Sequence, residues 1–149
     1  MEQQLYSIQA LSDWDVCAQA IAPQLQAGDI LTLSGSLGAG KTTFTQALAR
    51  ILGAQVSPRS PTFSLMRTYP LQNEYNVKHL VHIDAYRLES ASDVLALNLE
   101  EEQLEPGTIF VIEWPEHMQD WLTKHGPVWS LQIRQTEGEV REVRLEKPS

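Results

Sequence analysis

Residues 35 to 42 read Gly-Ser-Leu-Gly-Ala-Gly-Lys-Thr, which matches the GxxxxGKT pattern of a phosphate-binding loop. Such a loop points consecutive backbone N–H groups at phosphate oxygens, and the helix that follows presents its positive N-terminal end to the same anion. Lys41 is expected to reach the β and γ phosphates, and the Thr42 hydroxyl is expected to bind the Mg²⁺ that bridges them. The residues predicted to contact the nucleotide are Leu37, Gly38, Ala39, Gly40, Lys41, Thr42 and Thr43.

The residues around this loop provide the strand and helix that a phosphate-binding loop requires. Residues 29–34 are rich in strand formers, and we expect a helix that begins near Thr43 and ends before Gly53. The apolar residues at helical spacing are Phe44, Ala47, Leu48 and Ile51. A glycine-rich turn that precedes a helix by chance is the alternative, and this context disfavours it.

Two apolar segments farther along the chain each end in a carboxylate. Residues 80–84 read Leu-Val-His-Ile-Asp, and residues 109–113 read Ile-Phe-Val-Ile-Glu. Ligands of open α/β sheets bind at the carboxyl ends of strands, so Asp84 and Glu113 are both candidates for the acid that phosphoryl transfer needs near its metal. For Glu113 the alternative is a structural salt bridge, because a buried carboxylate needs a charged partner.

His82 and Asp84 are expected on the same face of their strand, because side chains alternate along a strand. For Asp84 the alternative to a functional role is to cap the turn that follows. We interpret His82 as a hydrogen-bonding residue that orients a neighbour.

Thr62 and Trp114 are further candidates beside the nucleotide. Thr62 ends the proline-containing stretch 57–62, which has the stiffness and the hydroxyl of a switch loop that senses the γ phosphate, although an ordinary stiffened loop would look the same. Trp114 follows Glu113 and precedes a proline that bends the chain. It is either a core aromatic residue or a ring exposed beside the nucleotide, and we favour the second.

The composition predicts one globular domain that spans residues 1–149, because its 42% hydrophobic and 20% charged residues are ordinary for a soluble protein. The net charge of −8 disfavours direct binding to RNA or DNA. A single cysteine, Cys17, and the lack of any signal-like or membrane-spanning stretch lead us to expect a cytoplasmic protein.

The predicted architecture is α/β, a P-loop NTPase-like mixed sheet with flanking helices and antiparallel hairpins. Strands are expected at 3–8, 29–34, 62–69, 77–85, 108–113, 128–135 and 140–145. Segment 108–113 is the most apolar and should lie centrally, with both of its faces covered. Helices are expected after an N-cap at Ser12, after the phosphate-binding loop, at 92–97 and at 116–124.

In their order along the chain, four motifs resemble the bacterial TsaE (YjeE) ATPases of tRNA threonylcarbamoyladenosine biosynthesis. They are the loop that ends in Gly-Lys-Thr-Thr at residue 43, Ser-Pro-Thr-Phe at 60–63, His-Ile-Asp-Ala-Tyr-Arg at 82–87 and Glu-Trp-Pro at 113–115. The phosphate-binding loop alone is common, whereas this ordered combination is specific. Ser36 stands where the family usually has Asp, which leaves the loop backbone unaffected but puts any role of that acid in doubt.

The resemblance implies a weak ATPase that works with the proteins TsaD and TsaB and meets tRNA only through that assembly. It implies ATP and Mg²⁺ as cofactors, with Thr42 and Glu113 as metal ligands. It also implies that Thr62, Asp84, Glu113 and Trp114 are needed for turnover. Two other interpretations remain, a small-molecule kinase on the same fold and a nucleotide-sensing interaction module with little hydrolysis.

Overall fold

The computed structural model describes residues 3–36, 38–58, 65–125 and 128–148. Within these ranges the strands are β1 (Gln3–Ile8), β2 (Ile30–Ser34), β3 (Met66–Pro70), β4 (His79–Asp84), β5 (Thr108–Glu113), β6 (Val128–Gln135) and β7 (Arg141–Glu146). The helices are α1 (Leu11–Ile21), α2 (Lys41–Ile51), α3 (Ala91–Leu95), α4 (Leu99–Leu104) and α5 (Gln119–Lys124).

The seven described strands form one mixed sheet in the order β1-β7-β6-β2-β5-β4-β3. Its centre is parallel, because β2 pairs with both β5 and β6 and β4 pairs with β5 in parallel register. Antiparallel pairs lie toward both edges, where β3 pairs with β4 and β7 pairs with β6 and β1. The predicted α/β class, with a mixed sheet, flanking helices and antiparallel hairpins, is confirmed.

The sheet has an apolar cluster on each face, and β5 contributes to both. Ile109 and Val111 pack in the cluster that contains residues of α1 and α2, whereas Phe110 and Ile112 pack in the opposite cluster with residues of α5. Every residue of β5 is buried, as the apolar pattern of 108–113 predicted. By the same alternation Glu113 lies on the α2 side of the sheet.

β4 alternates in the same way. Leu80 packs in the cluster with α2, and Val81 and Ile83 pack in the opposite one. His82 and Asp84 are therefore on the α2 side, the same side as Glu113. The sheet thus presents three polar side chains toward the helix that follows the phosphate-binding loop.

Several predicted boundaries were wrong, each for a local reason. The helix cap predicted at Ser12 is at Ala10, because the Asp13 carboxylate accepts hydrogen bonds from the backbone N–H groups of Gln9 and Ala10. The helix predicted near Thr43 begins at Lys41, so its first free N–H groups belong to the loop itself. Segment 116–124 is divided into a 3₁₀ turn at Pro115–Met118 and α5.

α4 was not predicted from the sequence. Glu100, Glu101 and Glu102 form its first turn. Acidic side chains near a helix N-terminus are stabilised by the free N–H groups there. Leu99 of the same helix is buried against the sheet.

Candidate functional site

The two predicted carboxylates are neighbours at the carboxyl edge of the parallel strands. Asp84, at the end of β4, pairs in register with Glu113, at the end of β5. Glu113 also pairs with Leu33 of β2, one residue before the strand leads into the phosphate-binding loop. The parallel register therefore brings the loop and both acids to the same edge of the sheet.

Lys41 is the buried cation of this edge, with 5% of its surface exposed. Its Nζ donates a hydrogen bond to the Gly35 carbonyl oxygen at 2.8 Å and lies 3.7 Å from the centre of the Trp114 ring. Burial lowers the pKa of the Lys41 ammonium, and the negative charges of Glu113, Asp84 and Glu116 act in the opposite direction. An anion bound at the loop would favour the charged form further.

Glu113 is 4% exposed and contacts the buried imidazole of His82. The distance between His82 Nε2 and Glu113 Oε2 is 2.6 Å. The hydrogen-bonding role that the sequence analysis gave His82 is thus met by a contact with Glu113.

Asp84 has the capping geometry that was its alternative interpretation. Its Oδ1 accepts a hydrogen bond of 3.1 Å from the Tyr86 backbone N–H, at the start of a 3₁₀ turn formed by Ala85–Arg87. The same side chain lines the cleft beside Lys41 and Glu113. Capping thus fixes Asp84 at the cleft and is compatible with a functional role.

Trp114 adopts a left-handed backbone conformation, with φ 59° and ψ 56°. Such a conformation costs a non-glycine residue on the order of 1–3 kcal/mol and is common at functional sites. The Trp114 ring is half-buried and contacts Tyr86, with the ring centres 5.0 Å apart. It therefore lies between Lys41 and an exposed aromatic residue, and it lines the cleft at the loop.

The described part of the phosphate-binding loop depends on glycine at three positions, one of which is Gly35, where a Cβ would collide with the Ile133 carbonyl oxygen. Gly38 and Gly40 have φ values of +78° and +121°, which side chains with a Cβ rarely adopt. A Cβ on Gly40 would also collide with the Trp14 ring of α1. Trp14 thus packs against the loop, a contact that the sequence analysis did not foresee.

One cleft of about 210 Å³ brings together most of the predicted site residues. Its lining consists of Gly38, Gly40, Lys41, Thr42, Thr43, Asp84, Glu113 and Trp114. Ala39 is buried in the loop itself and its carbonyl oxygen accepts a hydrogen bond of 3.1 Å from Arg141 Nε. Leu37 and Thr62, also predicted as site residues, lie outside the described residues.

A second cleft, of about 280 Å³, opens on the other side of the loop. It shares Gly38, Gly40 and Thr43 with the first cleft and is also lined by Ile8, Trp14 and Arg141. Arg141 was missed by the sequence analysis, which assigned it only to a terminal hairpin. The sheet order brings β7 next to β6 and so within reach of the loop, and no local pattern signals this.

The cleft residues fit a hard cation such as Mg²⁺, because Thr42, Asp84 and Glu113 offer oxygen atoms. In the described part of the chain, no group of three or more His, Cys, Asp and Glu side chains is arranged to hold a metal ion. A cation here would therefore share its coordination with phosphate oxygens and water, as Mg²⁺ commonly does at nucleotide sites.

Comparison with known proteins identifies the family. The family model described as "Threonylcarbamoyl adenosine biosynthesis protein TsaE" matches residues 8–143. The chain belongs to the TsaE family. The resemblance seen in the four sequence motifs is thus confirmed.

Individual TsaE proteins match over most of the chain. The protein of Streptomyces coelicolor is 39% identical over 104 residues, which cover 70% of this chain and 68% of that protein. The protein of Bacillus subtilis is 38% identical, with coverage of 70% and 62%. The protein of a Nostoc species is 46% identical, with coverage of 63% and 57%. The matched part is thus under two thirds of the Bacillus and Nostoc proteins. All three are named tRNA threonylcarbamoyladenosine biosynthesis protein TsaE.

A solved structure has the same fold over almost the whole length of this chain. The crystal structure of Bacillus subtilis YdiB superposes with a TM-score of 0.73 and 27% identity, and the match covers 99% of this chain and 87% of YdiB. No helix among the described residues combines the length and the apolar character needed to cross a membrane.

Proposed function

We propose that this TsaE family member is a Mg²⁺-dependent ATP-binding and ATP-hydrolysing component of the tRNA threonylcarbamoyladenosine biosynthesis machinery. It would act with homologues of TsaD and TsaB. The observation that carries the ATPase proposal is the shared cleft, in which Lys41 and Thr42 face two strand-end carboxylates, Asp84 and Glu113. The pathway follows from the family and from the names of its members.

The triphosphate would bind where the loop enters α2. There the N–H groups of the first helical turn have no partner within the helix, and the buried Lys41 ammonium supplies a positive charge. The nucleoside would extend into the second cleft, because Gly38, Gly40 and Thr43 line both clefts and the Trp14 ring offers an apolar surface there. Arg141, which donates to the loop at Ala39, would hold the loop in place on that side.

Thr42 and Glu113 would hold Mg²⁺, which would neutralise charge on the β and γ phosphates. Asp84 lies in the same cleft at the end of the neighbouring strand and would orient the attacking water. The Trp114 ring lies against the Lys41 ammonium and would contribute to turnover by holding that ammonium group in position. We retain Thr62 as a candidate for turnover, on the strength of its sequence motif alone.

The charge of the chain supports indirect contact with tRNA. A net charge of −8 opposes the wide phosphate contact that dominates affinity for nucleic acid. The tRNA would therefore be bound by the other members of the assembly.

Calorimetry with Mg·ATP, together with single-turnover hydrolysis in the presence and absence of the TsaD and TsaB homologues, tests the proposal. We expect binding by the chain itself and faster hydrolysis when the partners are added. Lys41→Ala should weaken binding by about 10-fold or more, since a charge-assisted hydrogen bond contributes about 1.5–3 kcal/mol. Glu113→Ala should lower hydrolysis more than binding, and Lys78→Ala, which removes an exposed lysine, should change neither.

The outcomes separate the alternatives. Transfer of the γ phosphate to a small acceptor would identify a kinase, and tight binding without hydrolysis under any condition would identify a nucleotide-sensing module. Absence of Mg·ATP binding, both alone and with the partners, would overturn the proposal.

A further inference from the structure

His82 is a fully buried imidazole, with 0% of its surface exposed, in the middle of the apolar strand β4. Its Nε2 lies 2.6 Å from Glu113 Oε2. Its Nδ1 is buried and has no hydrogen-bond partner among the described residues. Within the described structure, the one hydrogen-bonding contact of the His82 side chain is therefore a carboxylate of the candidate active site.

The direction of this hydrogen bond follows from the chemistry of the two groups. An ionised carboxylate can only accept hydrogen bonds, so His82 Nε2 carries the proton and donates it. The bond occupies Oε2 and restricts rotation of the carboxylate about its last side-chain bond. Because Glu113 lines the cleft that contains Lys41 and Thr42, Oε1 is the oxygen that remains for a ligand there.

We infer that His82 is a positioning residue for Glu113, which it orients so that Oε1 faces a cation held in the cleft. This inference rests on the proposed function, in which Glu113 binds Mg²⁺. Partners that orient a metal-binding carboxylate typically alter metal affinity by 10–100-fold when removed. A histidine that merely filled the core would instead affect stability and leave the metal dependence unchanged.

The test compares nucleotide affinity in the presence and absence of Mg²⁺ by calorimetry, which requires no turnover. In the wild-type protein Mg²⁺ should strengthen ATP binding. In His82→Leu we expect affinity without Mg²⁺ to be preserved and the strengthening by Mg²⁺ to fall about 10-fold. His82→Gln, whose amide nitrogen can take the place of Nε2, should recover most of it.

Matched variants separate positioning from general damage. His79→Leu makes the same change at the opposite end of β4, away from the cleft, and should keep the full Mg²⁺ effect. In a Glu113→Gln background, His82→Leu should cause no further loss of the Mg²⁺ effect, because the residue through which it acts has lost its charge. If His82→Leu does not fold, His82→Asn replaces it, since its shorter amide cannot reach Glu113.

A wild-type Mg²⁺ effect in His82→Leu or His82→Asn would overturn the inference, as would an equal loss in the His82→Gln variant. Failure of the wild-type protein to bind Mg·ATP would instead contradict the proposed function. The two failures are therefore distinguishable.

Discussion

The ammonium nitrogen of Lys41 lies 3.7 Å from the centre of the Trp114 ring. The same nitrogen donates a hydrogen bond to the Gly35 carbonyl oxygen at 2.8 Å. Gly35 and Trp114 each follow the last residue of a strand, at the edge of the sheet that forms the cleft. Phosphate oxygens bound by the loop would compete with both partners for the ammonium group. Lys41 therefore links occupation of the loop to the surroundings of Trp114.

Binding of Mg·ATP is expected to change the fluorescence of Trp114, because the charge above its ring is redirected toward phosphate. Titration of the wild-type protein should give a saturable change in emission, and this change should be smaller in Trp114→Phe, where Trp14 of the second cleft still responds. Trp121→Phe is the control, since Trp121 packs against Phe110 and does not line the cleft. A change of undiminished size in Trp114→Phe would contradict the prediction.

Gly40→Ala should destabilise the protein more than Gly28→Ala. Both glycines have positive φ values, +121° and +94°, so both variants carry backbone strain of about 1–2 kcal/mol. A Cβ at Gly28 has nothing within 4 Å, whereas at Gly40 it collides with the Trp14 ring. Urea unfolding should give a larger loss for Gly40→Ala, accompanied by weaker nucleotide binding. Equal losses of stability in the two variants would show that the loop and the Trp14 ring can move apart at little cost.

Asp84→Asn should lower hydrolysis while it preserves the fold. Asparagine keeps the oxygen that accepts from the Tyr86 N–H but removes the negative charge. We expect a rate loss of about 100-fold or more, typical of a group that assists proton transfer, with little change in melting temperature. Asp93→Asn changes a comparable capping carboxylate outside the cleft and serves as the control. An unchanged rate of hydrolysis would show that Asp84 only caps the turn and takes no part in hydrolysis.

Much of the site was predictable because its signals are local. The loop pattern identified Lys41 and Thr42, and the acids at the ends of apolar strands identified Asp84 and Glu113. Their register could not be read from the sequence, because Asp84 and Glu113 are opposed only through the pairing of β4 with β5. The contact between His82 and Glu113 spans 31 residues and depends on the same pairing.

Errors in the fold have a similar origin. Ser12 has the composition of an N-cap, but the Asp13 carboxylate binds the preceding N–H groups and moves the helix start to Leu11. Leu25 continues the helical spacing of α1, yet α1 ends at Ile21 before a 3₁₀ turn that contains Pro23. Leu25 is buried all the same. Apolar spacing predicts burial in this region better than it predicts where the helix ends.

Alkaline pH should destabilise the protein through Cys17. Burial raises the pKa of the Cys17 thiol to about 12, from an ordinary value of 9.0. Between these values the unfolded chain has lost the thiol proton and the folded chain retains it, so stability falls as pH rises. At pH 10 this contribution is on the order of 1 kcal/mol relative to pH 7.

Urea unfolding of the wild-type protein and Cys17→Ala at pH 7 and pH 10 measures this effect. The alanine variant is less stable at both pH values because it has lost packing contacts. It has no thiol, so its stability should not fall at pH 10 through loss of the thiol proton. The difference in stability between the two proteins should therefore narrow at pH 10. A difference that stays constant would contradict the raised thiol pKa.

The strand that leads into the phosphate-binding loop has its neighbours late in the chain. Ile30 of β2 pairs with Phe110 of β5 and with Val128 of β6. During synthesis, residues 30–34 leave the ribosome long before either partner exists, and closing such a long loop is slow. Under the proposed function, a nascent chain would therefore not offer this loop to nucleotide in its final geometry until nearly the whole sequence has been translated.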